Sequence, residues 1–78
     1  MKGGIEIKGR NAFSLEEIRR IRELVIIKKS LPSREQIFIR NQLRAMGFYI
    51  SDYKKTNFTT KDLDVLIDKG KIKVGKNL

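Results

Sequence analysis

The sequence predicts a small single α+β domain, with three helices packed on a short two- or three-stranded β-sheet. Apolar residues recur at helical spacing in three separate segments. Each of those segments opens on a capping signal, and two of them stop at a glycine. Two further short stretches, rich in strand formers, alternate at period two. On this reading the 78 residues divide into a flexible N-terminal segment 1–13, a single domain 14–74 and a tail 75–78.

Within the first segment, Ile5-Glu6-Ile7-Lys8 alternates and fits a short strand, flanked by Gly3, Gly4 and Gly9. A helix near 14–29 follows. Ser14 and Glu17 form a capping box, in which each side chain satisfies a backbone N–H of the first turn. Leu15, Ile18, Ile21, Leu24 and Val25 make its apolar stripe, with Glu16, Arg19, Arg20 and Glu23 opposite. Ile27 and Arg22 depart from the pattern. Arg22 reads as a long side chain snorkelling out of the core. Ile27 reads as an isolated surface residue, the alternative being a patch that meets a second protomer.

A second helix is expected near 33–46. Pro32 suits a position before or within its first turn, and Ser33 with Gln36 offers another capping box. Ile39, Leu43 and Met46 point inward, and Gly47 stands where a left-handed residue ends a helix, with Phe48 placed to touch Leu43. Phe48 to Tyr53 reads as a strand, and Lys54-Lys55-Thr56-Asn57 as a polar loop. The third helix, near 59–69, has the clearest signals: Thr59 with Asp62 as a capping box, Phe58 with Leu63 as a hydrophobic staple, and Gly70 as the stop. Lys71-Ile72-Lys73-Val74 alternates as a final strand. A winged-helix domain would need a β-hairpin here, and too few residues follow Gly70 to make one. The expected core unites Phe48, Ile50, Phe58, Leu63, Leu66 and Ile67 with Ile18, Val25 and Leu43.

Composition narrows the function. Eighteen Lys and Arg face nine Asp and Glu, with no His and no Cys, for a net charge of +9. The missing residues remove the commonest metal ligands, the usual general base near neutral pH and the thiol nucleophile. Ser14, Ser33 and Thr59 have capping roles, and there is no phosphate-cradling glycine pattern. Asp64 and Asp68, one turn apart, read as a solvated face balancing Lys61 and Lys69. The expectation is therefore no enzyme, no metal, no cofactor and no small-molecule ligand. No apolar run approaches the roughly 20 residues that span a bilayer, and no signal peptide is evident, so a cytoplasmic protein without membrane contact is expected.

Excess positive charge attracts polyanions, nucleic acid above all. On the second helix Arg40 and Arg44 lie one turn apart beside Asn41, and Arg34 opens the same helix. Arg and Asn on an exposed helical face read base edges, and Arg also grips phosphates. Lys54 and Lys55 follow Tyr53, which on a sheet edge would stack on unpaired bases. The expected function is a small basic nucleic-acid-binding domain, DNA slightly favoured over RNA, acting through Arg34, Arg40, Asn41, Arg44, Tyr53, Lys54 and Lys55. The alternative is a non-enzymatic protein-interaction or accessory module, with a protein partner or as a homodimer.

Overall fold

The computed structural model describes residues 8–53 and 57–75 of the chain. Its elements run in the order β1 (Ala12–Ser14), α1 (Leu15–Lys29), α2 (Ser33–Ala45), a 3-10 turn (Ile50–Asp52), α3 (Thr60–Asp68) and β2 (Lys73–Gly75). This is an α+β domain of three helices and a two-stranded parallel sheet, in which Phe13 pairs with Val74 and Ser14 with Gly75. Parallel neighbours need a long crossover, and here the crossover holds all three helices.

Two of the local signals operate as written in the sequence. At α1 the Ser14 hydroxyl accepts from the Glu17 N–H at 3.1 Å, and the Glu17 carboxylate accepts from the Ser14 N–H at 2.9 Å. At α3 the Thr59 N–H donates to the Asp62 carboxylate at 2.9 Å, and the Asp62 N–H to the Thr59 hydroxyl at 3.3 Å. The ends of α2 and α3 are both Schellman turns. At the first, the Phe48 N–H reaches the Leu43 carbonyl at 2.9 Å and the Gly47 N–H reaches that of Arg44 at 2.8 Å. Gly47 there has φ +89°, a conformation that a Cβ disfavours.

The box expected from Ser33 and Gln36 does not form. Pro32 takes the N-cap position of α2 and no side chain caps it. With φ fixed near the value it needs, Pro32 starts the helix one residue earlier than a serine cap would. Ser33 thus falls inside the first turn, and Gln36 turns back to donate to the Leu31 carbonyl at 3.0 Å.

The expected strand over 48–53 is also corrected. Phe48 and Tyr53 would project from opposite faces of a strand. Instead the chain turns, with the Asp52 N–H donating to the Tyr49 carbonyl at 3.0 Å and that of Tyr53 to Ile50 at 2.9 Å. The turn lets Tyr53 stack on Phe48, ring centroids 5.6 Å apart, while Phe13 and Phe58 meet Phe48 edge-on at 5.9 and 5.6 Å. Burying four rings together outweighs local strand preference.

The strand that does pair, β1, lies in the stretch read as flexible. Phe13 is fully buried, so the packed chain begins before Ser14. Upstream, both carboxylate oxygens of Asp52 accept backbone N–H groups, from Lys8 and Gly9, each at 2.9 Å. The expected strand at Ile5–Lys8 lies almost wholly outside the described residues; Lys8 itself is not in a strand. The core joins Phe13, Ile18, Ile21, Leu24, Val25, Ile39, Leu43, Phe48, Phe58, Leu63 and Ile72, with Ile50, Leu66 and Ile67 half-buried at its edge. Arg22 does snorkel, and it ends on Asp64 of α3 at 2.8 Å. Ile27 stays exposed. Among the described residues, no helix is long and apolar enough to cross a membrane.

Candidate functional site

Helix α2 buries Ile39 and Leu43 and packs chiefly on α1. The rest of its surface faces outward. Along one flank runs an open groove of about 460 Å³, between α2 and the segments Ile50–Ser51 and Asn57–Phe58. Ser33, Arg34, Ile37 and Arg40 line its helical wall, and Lys28 from the end of α1 closes one end. The hollow continues past Lys28 to Lys29 and Thr59, and in the other direction past Arg40 to Arg44.

Electrostatically the groove is one-sided. Lys28, Lys29, Arg34, Arg40 and Arg44 converge on it, and among the described residues no Asp or Glu lines it. Among the described residues none of these five cations is bridged to a carboxylate. Lys28 meets only the neutral side-chain carbonyl of Gln36, at 3.2 Å, and Arg44 lies over the Tyr49 ring at 5.6 Å. The start of α2 adds to the field. Pro32 has no N–H, and among the described residues no side chain caps the first-turn N–H groups of Ser33 and Arg34, the positive end of the helix dipole.

Three arginines outside the groove are engaged with carboxylates. Arg10 grips both Glu17 oxygens at 3.0 and 3.1 Å, donates to the Met46 and Ala12 carbonyls, and lies 4.7 Å over the Phe13 ring. That guanidinium, with the Ser14 N–H, holds the Glu17 carboxyl below its ordinary pKa. Arg22 does the same to Asp64. Arg20 stands 3.5 Å from Glu23 and 3.4 Å from Gln42 of α2.

Of the residues expected in a site, Arg34, Arg40 and Arg44 come together along the groove. Asn41 sits on the adjoining outer face of α2, exposed. Tyr53 does not belong with them. It is half-buried against Phe48 and its hydroxyl donates to the Arg10 carbonyl at 3.1 Å, so it offers no ring to a base. Burial, with the Asp52 charge beside it, raises its pKa. Lys54 and Lys55 lie outside the described residues. Lys28 and Lys29 belong to the groove but were legible only as the basic last turn of α1, and no local spacing ties them to α2. Among the described residues no three acids gather as a metal site would require. Comparison of the chain with protein-family models, with curated proteins and with solved structures finds no match.

Proposed function

We propose that this chain is a small nucleic-acid-binding domain that grips phosphates along the α2 groove, with duplex DNA its favoured ligand ahead of RNA. The observation that carries the reading is the convergence of Lys28, Lys29, Arg34, Arg40 and Arg44 on a groove that no carboxylate of the described residues lines. Unpaired guanidinium groups bind phosphate oxygens in a fork geometry that a bridged arginine cannot offer. The open first-turn N–H groups of α2 supply further anion donors. Tyr53, the residue expected to stack on unpaired bases, is taken up by Phe48.

The test is a titration against duplex DNA at several salt concentrations. Affinity should fall with a log–log slope of about −0.9 per neutralised phosphate. Replacing Arg40 and Arg44 together by Glu should flatten the slope by about two such contacts, whereas Lys71→Glu with Lys73→Glu, the same change in net charge, should leave it close to the parent's. Equal loss in both double variants, or no binding near physiological salt, would replace this reading with the second one, a protein-interaction module. That reading draws on Leu15 and Ile26 of α1 and Val65 of α3, which are 52, 58 and 42% exposed.

A further inference from the structure

The outer face of α2 differs from its groove flank. Arg34, Phe38 and Asn41 follow one another at four- and three-residue spacing, which sets them along one line of the helix, turned away from Ile39 and Leu43. All three are exposed. Phe38, at 63%, is the most exposed large apolar side chain among the described residues. Phosphate binding gives it no purpose, because a phosphate backbone offers an aromatic ring nothing that a lysine would not take better. Among the described residues the Asn41 amide and the Arg34 guanidinium make no hydrogen bond to the protein, so both keep their full donor and acceptor sets.

We propose that α2 is a reading helix: it enters the major groove of duplex DNA and selects base pairs through Arg34, Phe38 and Asn41. This rests on the nucleic-acid reading given above and adds sequence selectivity to it. Arg34, at the border between groove and outer face, is turned to a base edge, and phosphate contact is left to Lys28, Lys29, Arg40 and Arg44. The chemistry of the three side chains fits the edges displayed there. Arginine forks onto the two acceptors of guanine, asparagine pairs with the acceptor and amino donor of adenine, and an aromatic ring packs on the thymine methyl.

The surroundings of the helix support the same placement. A helix with its side chains is about 10–12 Å across and the major groove is about 12 Å wide. Because α2 packs chiefly on α1, its outer half is free to enter. Arg40 and Arg44 lie along one side of the reading line. Arg20, reaching Gln42 at 3.4 Å, lies on the other. The groove cations thus border one side of the reading line, where one phosphate strand of a major groove would run, while on the other side Arg20 is bridged to Glu23 at 3.5 Å. The carboxylate of α2, Glu35, stands exposed in the first turn, one turn before Phe38. Duplex RNA is excluded by the same geometry, since its major groove is too deep and narrow for side chains to read.

The experiment is selection of the full chain against a pool of randomised DNA duplexes, followed by competition between the enriched duplex and a scrambled one. An enriched motif containing guanine and an A·T pair within one helical turn is expected. Asn41→Ala and Phe38→Ala should each reduce the preference for that motif, by about 5- to 150-fold for the asparagine, the range that a good bidentate contact spans. Both should leave affinity for the scrambled duplex, and its salt slope, within about twofold, since neither touches phosphate. Arg40→Glu with Arg44→Glu should lower affinity for both duplexes and preserve their ratio. No enriched motif, with duplex binding that still depends on Arg40 and Arg44, would overturn the reading helix and leave the phosphate-binding function standing. A motif indifferent to Phe38 and Asn41 would overturn it as well. Loss of all duplex binding near physiological salt would remove both proposals together.

Discussion

Arg10 and Arg40 are the same residue in two opposite situations. Arg10 is spent on the fold: its guanidinium meets Glu17, two backbone carbonyls and the Phe13 ring, and pins β1 against the turn that ends α2. Arg40 stands exposed on α2 with no bridging carboxylate among the described residues. Net charge counts the two alike. What separates them is whether a carboxylate or carbonyl is folded into reach, and that is decided by the pairing of β1 with β2 and by the turn at Gly47, both remote in sequence. The acidic residues at the Arg10 end are engaged in the same way, Glu17 by Arg10 and Asp52 by the Lys8 and Gly9 N–H groups.

The sharpest way to break the contrast is to remove the centre of the Arg10 end. Phe48 is fully buried and meets Phe13, Tyr53 and Phe58. Phe48→Ala should cost about 3–5 kcal/mol, comparable to all the stability that so small a core provides. Circular dichroism should then show no cooperative melt. A retained melt near the parent's would mean that the aromatic cluster is not what holds β1 in place.

A smaller effect is expected at the turns. Gly47 and Gly70 both have positive φ, +89° and +77°. A Cβ on Gly47 would come within 2.6 Å of the Arg10 side chain, whereas one on Gly70 would meet nothing within 4 Å. Gly70→Ala should therefore cost only the backbone penalty, about 1–2 kcal/mol. Gly47→Ala should cost more, because it also moves Arg10. Urea unfolding of the two variants measures the difference, and equal costs would show that Arg10 yields freely.

The smallest effect is in acid. Glu17 and Asp64 have pKa values lowered by Arg10 and Arg22. A lowered folded pKa contributes stability that is complete above the unfolded value and disappears as pH falls through the folded one. The thermal midpoint should accordingly hold through the neutral range and drop below the ordinary carboxylate range. Arg10→Gln should lower the midpoint at neutral pH and make the acid drop shallower, while Arg40→Gln should change neither.

The helix ends were legible because their signals are local. Ser14 with Glu17, Thr59 with Asp62, and Phe58 with Leu63 are complete within a few residues, and Gly47 and Gly70 announce their turns by themselves. The sheet was not. Ala12–Ser14 is too short to show alternation, and its partner lies beyond three helices. Phe48 to Tyr53 shows alternation, but burial of the rings required a turn. Pro32 displaced the cap expected at Ser33 for a local reason that the sequence contains and that the serine obscured. In the candidate site, Arg34, Arg40, Asn41 and Arg44 were legible because one helix carries them. Lys28 and Lys29 were not, since their place depends on how α1 ends beside the groove, and Phe38 gave no signal because an exposed aromatic looks like a core residue until the helix is oriented.

The pairing of β1 with β2 also sets an order in time. Helices α1 and α2 are joined by Ser30 to Pro32 and close at once, whereas the Lys73 N–H finds the Asn11 carbonyl, 2.8 Å away in the folded chain, only after nearly the whole described chain has been drawn in. Closing so long a loop costs entropy before any strand contact offsets it, and contacts of that kind slow folding. The helix pair should gain protection first and the strand pair last during refolding, which pulsed hydrogen exchange at the Leu43 and Lys73 amides would resolve. A chain whose sheet forms last completes its Arg10 end after its α2 surface already exists, so the face proposed to meet DNA is available before the fold is closed.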